Sequence, residues 1–339
     1  LGDVYKRQQL GVVDSDVYLH SASVSFSASI RQMLAPLAIG ASIAVAGDST
    51  LVDPFQLLDR MQDWRVSVWD TVPSVWGVFM RAWQMHNEGS DQSVSLDSLR
   101  MILLTGEPLY WAQVDAWRQF HGDGTRIINL YSQTETAGTV AMYPVPEDPD
   151  HSGDIVPIGR PMDDIELRML DENGREVAVG DVGEIHVGSD RLAQNYFGTS
   201  SESFIPGAEI GSGYSRIYRT GDYARLRDDG TATPLGRRDA RVKINGARVD
   251  LLEVESVLLG EASVSQATAL VDAKGRLSVY LVPADTATFS RTALRDRLKK
   301  QLPEYAVPGR ITTLEALPAL ASGKVDRKAL EAFDAGDDS

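Results

Sequence analysis

Apolar positions in the first half of the chain follow two alternating rhythms. Short runs rich in β-branched and aromatic residues at 41–46 (ASIAVA), 66–74 (VSVWDTVPS), 99–107 (LRMILLTGE) and 125–132 (TRIINLYS) read as strands. Between them, 54–64 (PFQLLDRMQDW), 75–86 (VWGVFMRAWQMH) and 109–120 (LYWAQVDAWRQF) repeat their apolar residues at helical spacing. Strands alternating with helices of this length predict a parallel sheet with helical crossovers. Ligands of such sheets gather beyond the carboxyl ends of the strands, where "TGE" and "YSQTE" fall. The longest apolar stretch, 33–47, is shorter than a membrane span and carries Pro36, Gly40 and Gly47. It predicts a buried helix running into a buried strand.

From about residue 155 the rhythm changes to short alternating strands, with Asn173-Gly174 marking a hairpin. This section predicts a smaller β-rich unit, barrel-like or a distorted sheet. A third texture begins near 237, where a basic stretch leads into the helical pattern VDLLEVESVLL. ATALVDAKGRLSVYLVPA follows as a hairpin with Lys274-Gly275 at its turn, and then the helix SRTALRDRLKKQL. A domain boundary is expected near 236–240, separating a core at 9–236 from a small domain at 237–332. Residues 333–339 read as a frayed acidic tail.

A length of 339 residues suits two domains. The net charge of −15 argues against a nucleic-acid binder, whose footprint would be basic, and against adhesion to an anionic membrane. No cysteine is present, which removes disulfides, thiolate catalysis and cysteine-ligated metals; the cytoplasm is the default compartment. The five histidines are scattered, and neither a His-Glu-x-x-His nor a Gly-x-Ser-x-Gly string occurs. The opening LGDVYKRQ resembles translated sequencing adaptor, so residues 1–8 are set aside from the fold.

Taken one at a time, the candidate site residues have two readings each. Tyr131, Thr134 and Glu135 could stack on a purine, bond a phosphate oxygen and hold Mg²⁺, or simply form an ordinary helix cap. Asp222 in YRTGDY could accept ribose hydroxyls or be a plain turn aspartate. The cluster Arg237, Arg238, Arg241, Lys243 and Arg248 could be a solvated face or a constrained loop, since Gly236 and Gly246 accompany it. Lys324 could be a tail cation or a point charge delivered to a phosphate.

Taken together, in order, the strings are specific. FSASIRQ (26–32), LLTGEPL (103–109), NLYSQTE (129–135), VGEIHVGSDRLAQNY (182–196), YRTGDYARLRDDG (218–230), GRRDARVKINGARVDLLEVE (236–255), LPEYAVP (302–308) and SGKVDRKAL (322–330) span nearly all of residues 10–330. This series resembles the adenylate-forming superfamily of acyl-CoA synthetases, nonribosomal-peptide adenylation domains and luciferases, and lies closest to the peptide-synthetase branch. The resemblance implies a large α/β core, with a parallel sheet and a distorted β-barrel, and a small mobile α+β C-terminal domain. It implies attack of a carboxylate on the α-phosphate of Mg·ATP, giving an acyl-adenylate and pyrophosphate. A phosphopantetheine thiol on a carrier protein then takes the acyl group. Catalysis would rest on positioning and charge neutralisation, so the absence of cysteine is no objection.

By motif, Gly106 and Glu107 would border the adenine pocket, and Tyr131 would stack on the ring. Thr134 would touch the α-phosphate, Glu135 would hold Mg²⁺, and Asp222 would bind the ribose with help from Arg237. Asp239 would be the hinge, and Lys324 would reach the transferring phosphate and the substrate carboxylate. The acid would lie among Ser27, Ala28, Arg31, Leu103, Thr105, Leu130, Gly138 and Thr139.

Several positions depart from the family pattern. Ser132-Gln133 stand for the usual Gly-Pro, Ser322 for Asn and Leu252 for Gly, changes expected to be minor. Ser27 stands where domains for α-amino acids carry an Asp that pairs with the substrate ammonium. With Arg31 nearby, this implies an aryl, hydroxy, keto or fatty acid lacking an α-amine, because a buried unpaired ammonium is costly. The alternative is that Arg31 is paired or turned away. The family's Ser/Thr/Gly-rich phosphate loop, expected before FSASIRQ, is not found in residues 1–25, which implies a chain lacking its front third. Two other functions stay open: a ligase acting on free CoA, and a non-catalytic nucleotide-binding relic.

Overall fold

The computed structural model describes residues 10–24, 26–47, 53–89, 93–147, 154–198, 201–237, 241–244, 247–271, 276–320 and 323–336. The adaptor-like opening at 1–8, Asp239, the Lys274-Gly275 turn and Ser322 therefore lie outside the described residues.

A seven-stranded sheet organises the first half, in the order β2-β1-β3-β4-β5-β6-β7. Its strands are β1 (Val17–His20), β2 (Ser42–Val45), β3 (Val68–Thr71), β4 (Met101–Thr105), β5 (Arg126–Gln133), β6 (Gly138–Pro144) and β7 (Arg160–Pro161). The pairs from β2 through β5 are parallel, as the alternating rhythm predicts. The last two strands run antiparallel, because β5 turns straight back into β6 through a 3₁₀ turn at Thr134–Thr136 with no crossover helix between. Strand β1 and this reversal went unread in the sequence.

The apolar run of β4 shows why the sheet is central. Ile102 and Leu104 face a cluster with Trp69, Trp76, Phe79 and Trp117, whereas Met101 and Leu103 face Tyr18, Val68, Ile128 and Leu130. Strand geometry sends successive side chains to opposite faces, and both faces are buried, so the strand is apolar throughout. Of the helices in this half, α1 (Ser27–Leu37) runs into strand β2 as the 33–47 stretch predicts, but neither is buried as expected: Leu34 and Leu37 on α1 and Val45 on β2 are exposed, because β2 is the edge strand of the sheet. Helices α2 (Pro54–Asp63), α3 (Pro73–Gly89) and α4 (Trp111–His121) cover the tryptophan-rich face. Asp53 caps α2 by accepting from the Phe55 and Gln56 amides, with Pro54 in the first turn.

The second section is an antiparallel sheet of β8 (Glu166–Leu170), β9 (Val182–Gly188), β10 (Phe204–Pro206), β11 (Arg216–Leu226) and β12 (Ala232–Arg237). The Asn173-Gly174 turn forms as expected: the Asp171 carboxylate accepts from the Asn173 and Arg175 amides, and Gly174 has φ +75°. The third section holds β13 (Arg241–Ile244), β14 (Ala247–Asp250), α5 (Leu251–Leu259), β15 (Val264–Val271), β16 (Leu277–Pro283), α6 (Arg291–Gln301), β17 (Arg310–Thr313) and α7 (Arg327–Gly336). It has its own core around Val254, Leu258, Val279, Leu281, Leu294 and Leu298. Helix α7 continues through Gly336, so the expected tail at 333–339 is helical over its first residues. Among the described residues no helix is long and apolar enough to cross a membrane.

Gly159 sets how tightly β7 closes on β6. It has φ +81°, and a methyl group there would lie 1.8 Å from the Met142 carbonyl oxygen. Gly159→Ala is expected to destabilise the fold by about 3 kcal/mol or more, whereas Gly124→Ala, facing open space, should stay within about 0.5 kcal/mol. Denaturant melts of the two variants check this.

Candidate active site

The carboxyl ends of β3, β4 and β5 lie side by side on one edge of the parallel sheet, and Gly106, Glu107, Thr134 and Glu135 follow the ends of β4 and β5. After β4 the chain turns at Gly106, with φ +86°, into Glu107. Glu107 reaches across to the start of α3, where its Oε2 accepts from the Ser74 amide at 3.0 Å. A carboxylate at a helix N-terminus meets unpaired N–H groups and the positive end of the dipole. Burial raises the Glu107 pKa; the Ser74 hydrogen bonds and the Lys324 charge pull it down without cancelling that effect.

Lys324 arrives from the far end of the chain. Leu320 N–H donates to the Lys324 carbonyl and Gly323 N–H to the Leu320 carbonyl, a tight turn with Gly323 at φ +83°. The Gly323 carbonyl accepts from Ser74 Oγ at 3.2 Å. A methyl group on Gly106 would stand 3.0 Å from Lys324 Cε and 3.1 Å from Nζ; one on Gly323 would stand 2.7 Å from Val75 Cγ2. Backbone conformation calls for glycine at both positions, and Gly323 is also packed tightly against Val75. Arg81 Nη1 donates to the Ser265 carbonyl at 2.7 Å, and burial pushes its guanidinium down to about 10. Tyr110 Oη donates to Glu255 Oε2 at 3.3 Å. Leu252 is buried against Tyr110 and Ile155. The Gly-to-Leu departure at 252, expected to be minor, places an apolar side chain at the seam between core and small domain.

At the end of β5, Tyr131 Oη donates to Asp222 Oδ2 at 2.7 Å, and Gln133 Nε2 donates to the same oxygen at 2.6 Å. Burial raises the Tyr131 pKa well above its usual value, and the Asp222 charge adds to the effect. Asp222 follows a glycine in left-handed conformation, as YRTGDY implied, but without leaving the strand. It sits inside β11, at an irregularity between Arg219 and Tyr223 where Gly221 adopts φ +72°. Its amide donates to Thr220 Oγ1, whose hydroxyl donates to the Ile185 carbonyl. Arg237 on β12 is the register partner of Asp222. Thr134 is exposed and Glu135 half-buried in the turn that follows β5. Glu135 Oε1 accepts from Tyr196 Oη at 2.7 Å, a partner that sequence reading missed.

The expected acid-binding residues form a second, adjoining group. Ser27 and Arg31 lie four residues apart on α1, hence on one face; Ser27 is exposed and Ala28 partly so. Thr105 ends β4 and Thr139 follows Gly138 at the start of β6, both buried, whereas Leu103 and Leu130 lie within β4 and β5 as part of the apolar core. Thr105 Oγ1 lies 3.0 Å from Ser132 Oγ. Arg31 is paired, by a residue the sequence did not flag. Its Nε and Nη2 donate to the two oxygens of Asp70 at 2.7 and 2.9 Å, and Nη1 donates to Thr139 Oγ1 at 3.3 Å. Tyr18 Oη adds a donor to Asp70 Oδ2 at 3.3 Å. Burial alone would lower the Arg31 pKa, but the Asp70 charge and hydrogen bonds hold it above the ordinary arginine range. Asp70 lies on β3 next to β1, where the strand order reverses. A charged residue inside the apolar run VWDT was the available signal.

An edge of parallel strands, two glycine approaches, a lysine brought in from the far end of the chain and a carboxylate oriented by a tyrosine are groups that can receive a phosphorylated nucleotide and a small acid. Comparison with known proteins gives the family. Residues 3–197 match the AMP-binding enzyme family and residues 253–324 the AMP-binding enzyme C-terminal domain. The chain belongs to the family of AMP-binding enzymes. It is 33% identical to malpinin synthetase of Mortierella alpina, over 97% of this chain and 4% of that protein. It is 33% identical to novobiocin biosynthesis protein H of Streptomyces niveus, over 92% of this chain and 50% of that one. It therefore spans half or less of these relatives' length. A four-domain nonribosomal peptide synthetase solved with AMP and glycine superimposes with a TM-score of 0.82 at 27% identity, covering 97% of this chain and 24% of that one. An anthranilate CoA ligase solved with anthranoyl-AMP reaches 0.79 at 22% identity, over 98% of this chain and 63% of that one, a likeness of fold alone.

Removing one member of the buried Arg31–Asp70 pair leaves the other charge uncompensated. Arg31→Met is expected to cost about 3–5 kcal/mol, and adding Asp70→Leu to recover most of it. Chemical denaturation of the single and double variants checks the sign.

Proposed function

We propose that this chain is the adenylate-forming part of an enzyme that activates a carboxylic acid with ATP and passes the acyl group to a phosphopantetheine thiol. The observation that carries the reading is the arrival of Lys324, from the small domain, beside Gly106 and Glu107. Its ammonium supplies a compact positive charge close to the groups expected to flank the nucleotide. Positioning the acid's carboxylate against the α-phosphate, with charge neutralisation around it, is the whole of the chemistry asked of the protein.

In this reading Asp222, held by Tyr131 and Gln133 and in register with Arg237 across the strand pair, receives the ribose. Thr134, exposed at the turn, bonds the α-phosphate, and the Tyr131 ring stacks on the base. Glu135 fits Mg²⁺: it offers hard oxygens, and Tyr196 occupies only one of them. The ion would offset phosphate charge there. The small domain, 237–332, pivots near Asp239. A 31% identical relative, a dimodular nonribosomal peptide synthase of Bacillus subtilis, favours a carrier protein over free CoA as the acceptor.

The acid itself lacks an α-amine. Ser27 offers no charge, and Arg31 takes both oxygens of Asp70, a buried carboxylate of this region. An incoming ammonium would meet neither as a counter-ion, at a desolvation cost that a neutral α-substituent avoids.

Two measurements on the full-length protein carrying this chain test these points. In carboxylate-dependent ATP–pyrophosphate exchange, Lys324→Ala is expected to lose about a hundredfold or more in rate while its melting temperature holds. Unchanged exchange would remove Lys324 from the reaction. Aryl or hydroxy acids should support exchange about tenfold or more better than proteinogenic amino acids. The reverse preference would refute the reading of Ser27 and Asp70.

A further inference from the structure

Gln133 stands where the family usually has proline, and the structure gives it a connection that proline could not make. Its Nε2 donates to Asp222 Oδ2 at 2.6 Å and approaches Tyr131 Oη at 3.4 Å. Two donors, a phenol and an amide, therefore converge on one carboxylate oxygen. Hydrogen bonds to a charged acceptor are about twice as strong as neutral ones, so they fix the carboxylate's rotation. The amide cannot turn over, because its carbonyl would then face the carboxylate. With the nitrogen end so committed, Gln133 Oε1 is buried without a protein donor among the described residues. A buried carbonyl in that state gains from a ligand hydroxyl. The Gln133 backbone is anchored independently: its N–H donates to Thr136 Oγ1 at 3.3 Å, and Thr136 returns a hydrogen bond to its carbonyl at 2.8 Å.

We propose that Gln133 is a specificity-determining residue for the sugar of the nucleotide, orienting Asp222 through Nε2 and offering Oε1 to a ribose hydroxyl. The inference rests on the reading of Asp222 as the ribose carboxylate. It adds that this chain distinguishes ribose from deoxyribose with a second side chain, outside the Asp–Arg pair.

The test is equilibrium binding of AMP, 2′-deoxy-AMP and 3′-deoxy-AMP to the full-length protein by calorimetry. The variants are Gln133→Leu, Gln133→Met and Asp222→Ala. Both Gln133 variants are expected to weaken AMP roughly tenfold while changing at least one deoxy analogue much less, so that the preference for the full ribose narrows. A merely structural role would weaken all three nucleotides alike and lower the melting temperature. Gln133→Met keeps the length and apolar stem, so it serves if Gln133→Leu folds poorly. If Asp222→Ala abolishes the ribose preference while both Gln133 variants keep it in full, the inference about Gln133 is overturned and the site reading stands. If Asp222→Ala itself keeps the preference, the site reading fails and the inference with it.

Discussion

The approach of Lys324 to Gly106 is the contact on which the site depends. It joins a turn near the end of the chain to the carboxyl edge of a sheet built far earlier in the sequence. Gly106 and Gly323 both adopt the left-handed backbone that a side chain would strain, and Gly106 leaves room for the lysine's end. The turn is held by Ser74, whose hydroxyl donates to the Gly323 carbonyl and whose amide, at the start of α3, donates to the Glu107 carboxylate. Arg81 to Ser265, Tyr110 to Glu255, and the packing of Leu252 on Tyr110 and Ile155 hold the seam further out. Each is a modest interaction. Together they set one arrangement of core and small domain in which the lysine is delivered.

A second constraint works inside the core. Burying Arg31 and Asp70 side by side at the point where the strand order reverses is tolerable only because the guanidinium meets the carboxylate in a two-point fork, with Tyr18 and Thr139 satisfying further groups. The two charges neutralise each other. What they leave to the proposed acid site is a polar but electrically neutral wall. Asp222 is settled in the same way, since Tyr131 and Gln133 fix its orientation before any ligand arrives.

How much of this the sequence showed follows from the range of the interactions. Local rhythm revealed the strands at 101–105 and 126–133, the helix between them, and the Asn173-Gly174 turn, because each is decided within a few residues. Motif order brought Gly106, Tyr131, Glu135, Asp222 and Lys324 forward, and the fold sets Tyr131 against Asp222 and Lys324 against Gly106. Long-range partners stayed hidden. Nothing in the residues around Arg31 says that it meets Asp70, although an aspartate in VWDT was a visible anomaly. The antiparallel return of β6 was unread because the 3₁₀ turn at Thr134–Thr136 looked like a helix start. Gln133 and Leu252 looked like tolerated departures, since their effect lies in what they touch across the molecule.

The most direct test is the chemical reactivity of Lys324 in the full-length protein. Lysine acylation followed by mass spectrometry compares it with Lys299 and Lys300, which lie exposed on the last turn of α6. If Lys324 docks against Gly106 and Glu107, it reacts markedly more slowly than those two and slows again when ATP and a substrate acid are added. Labelling of Lys324 at the rate of Lys299 and Lys300, unaffected by nucleotide, would contradict the account at its centre.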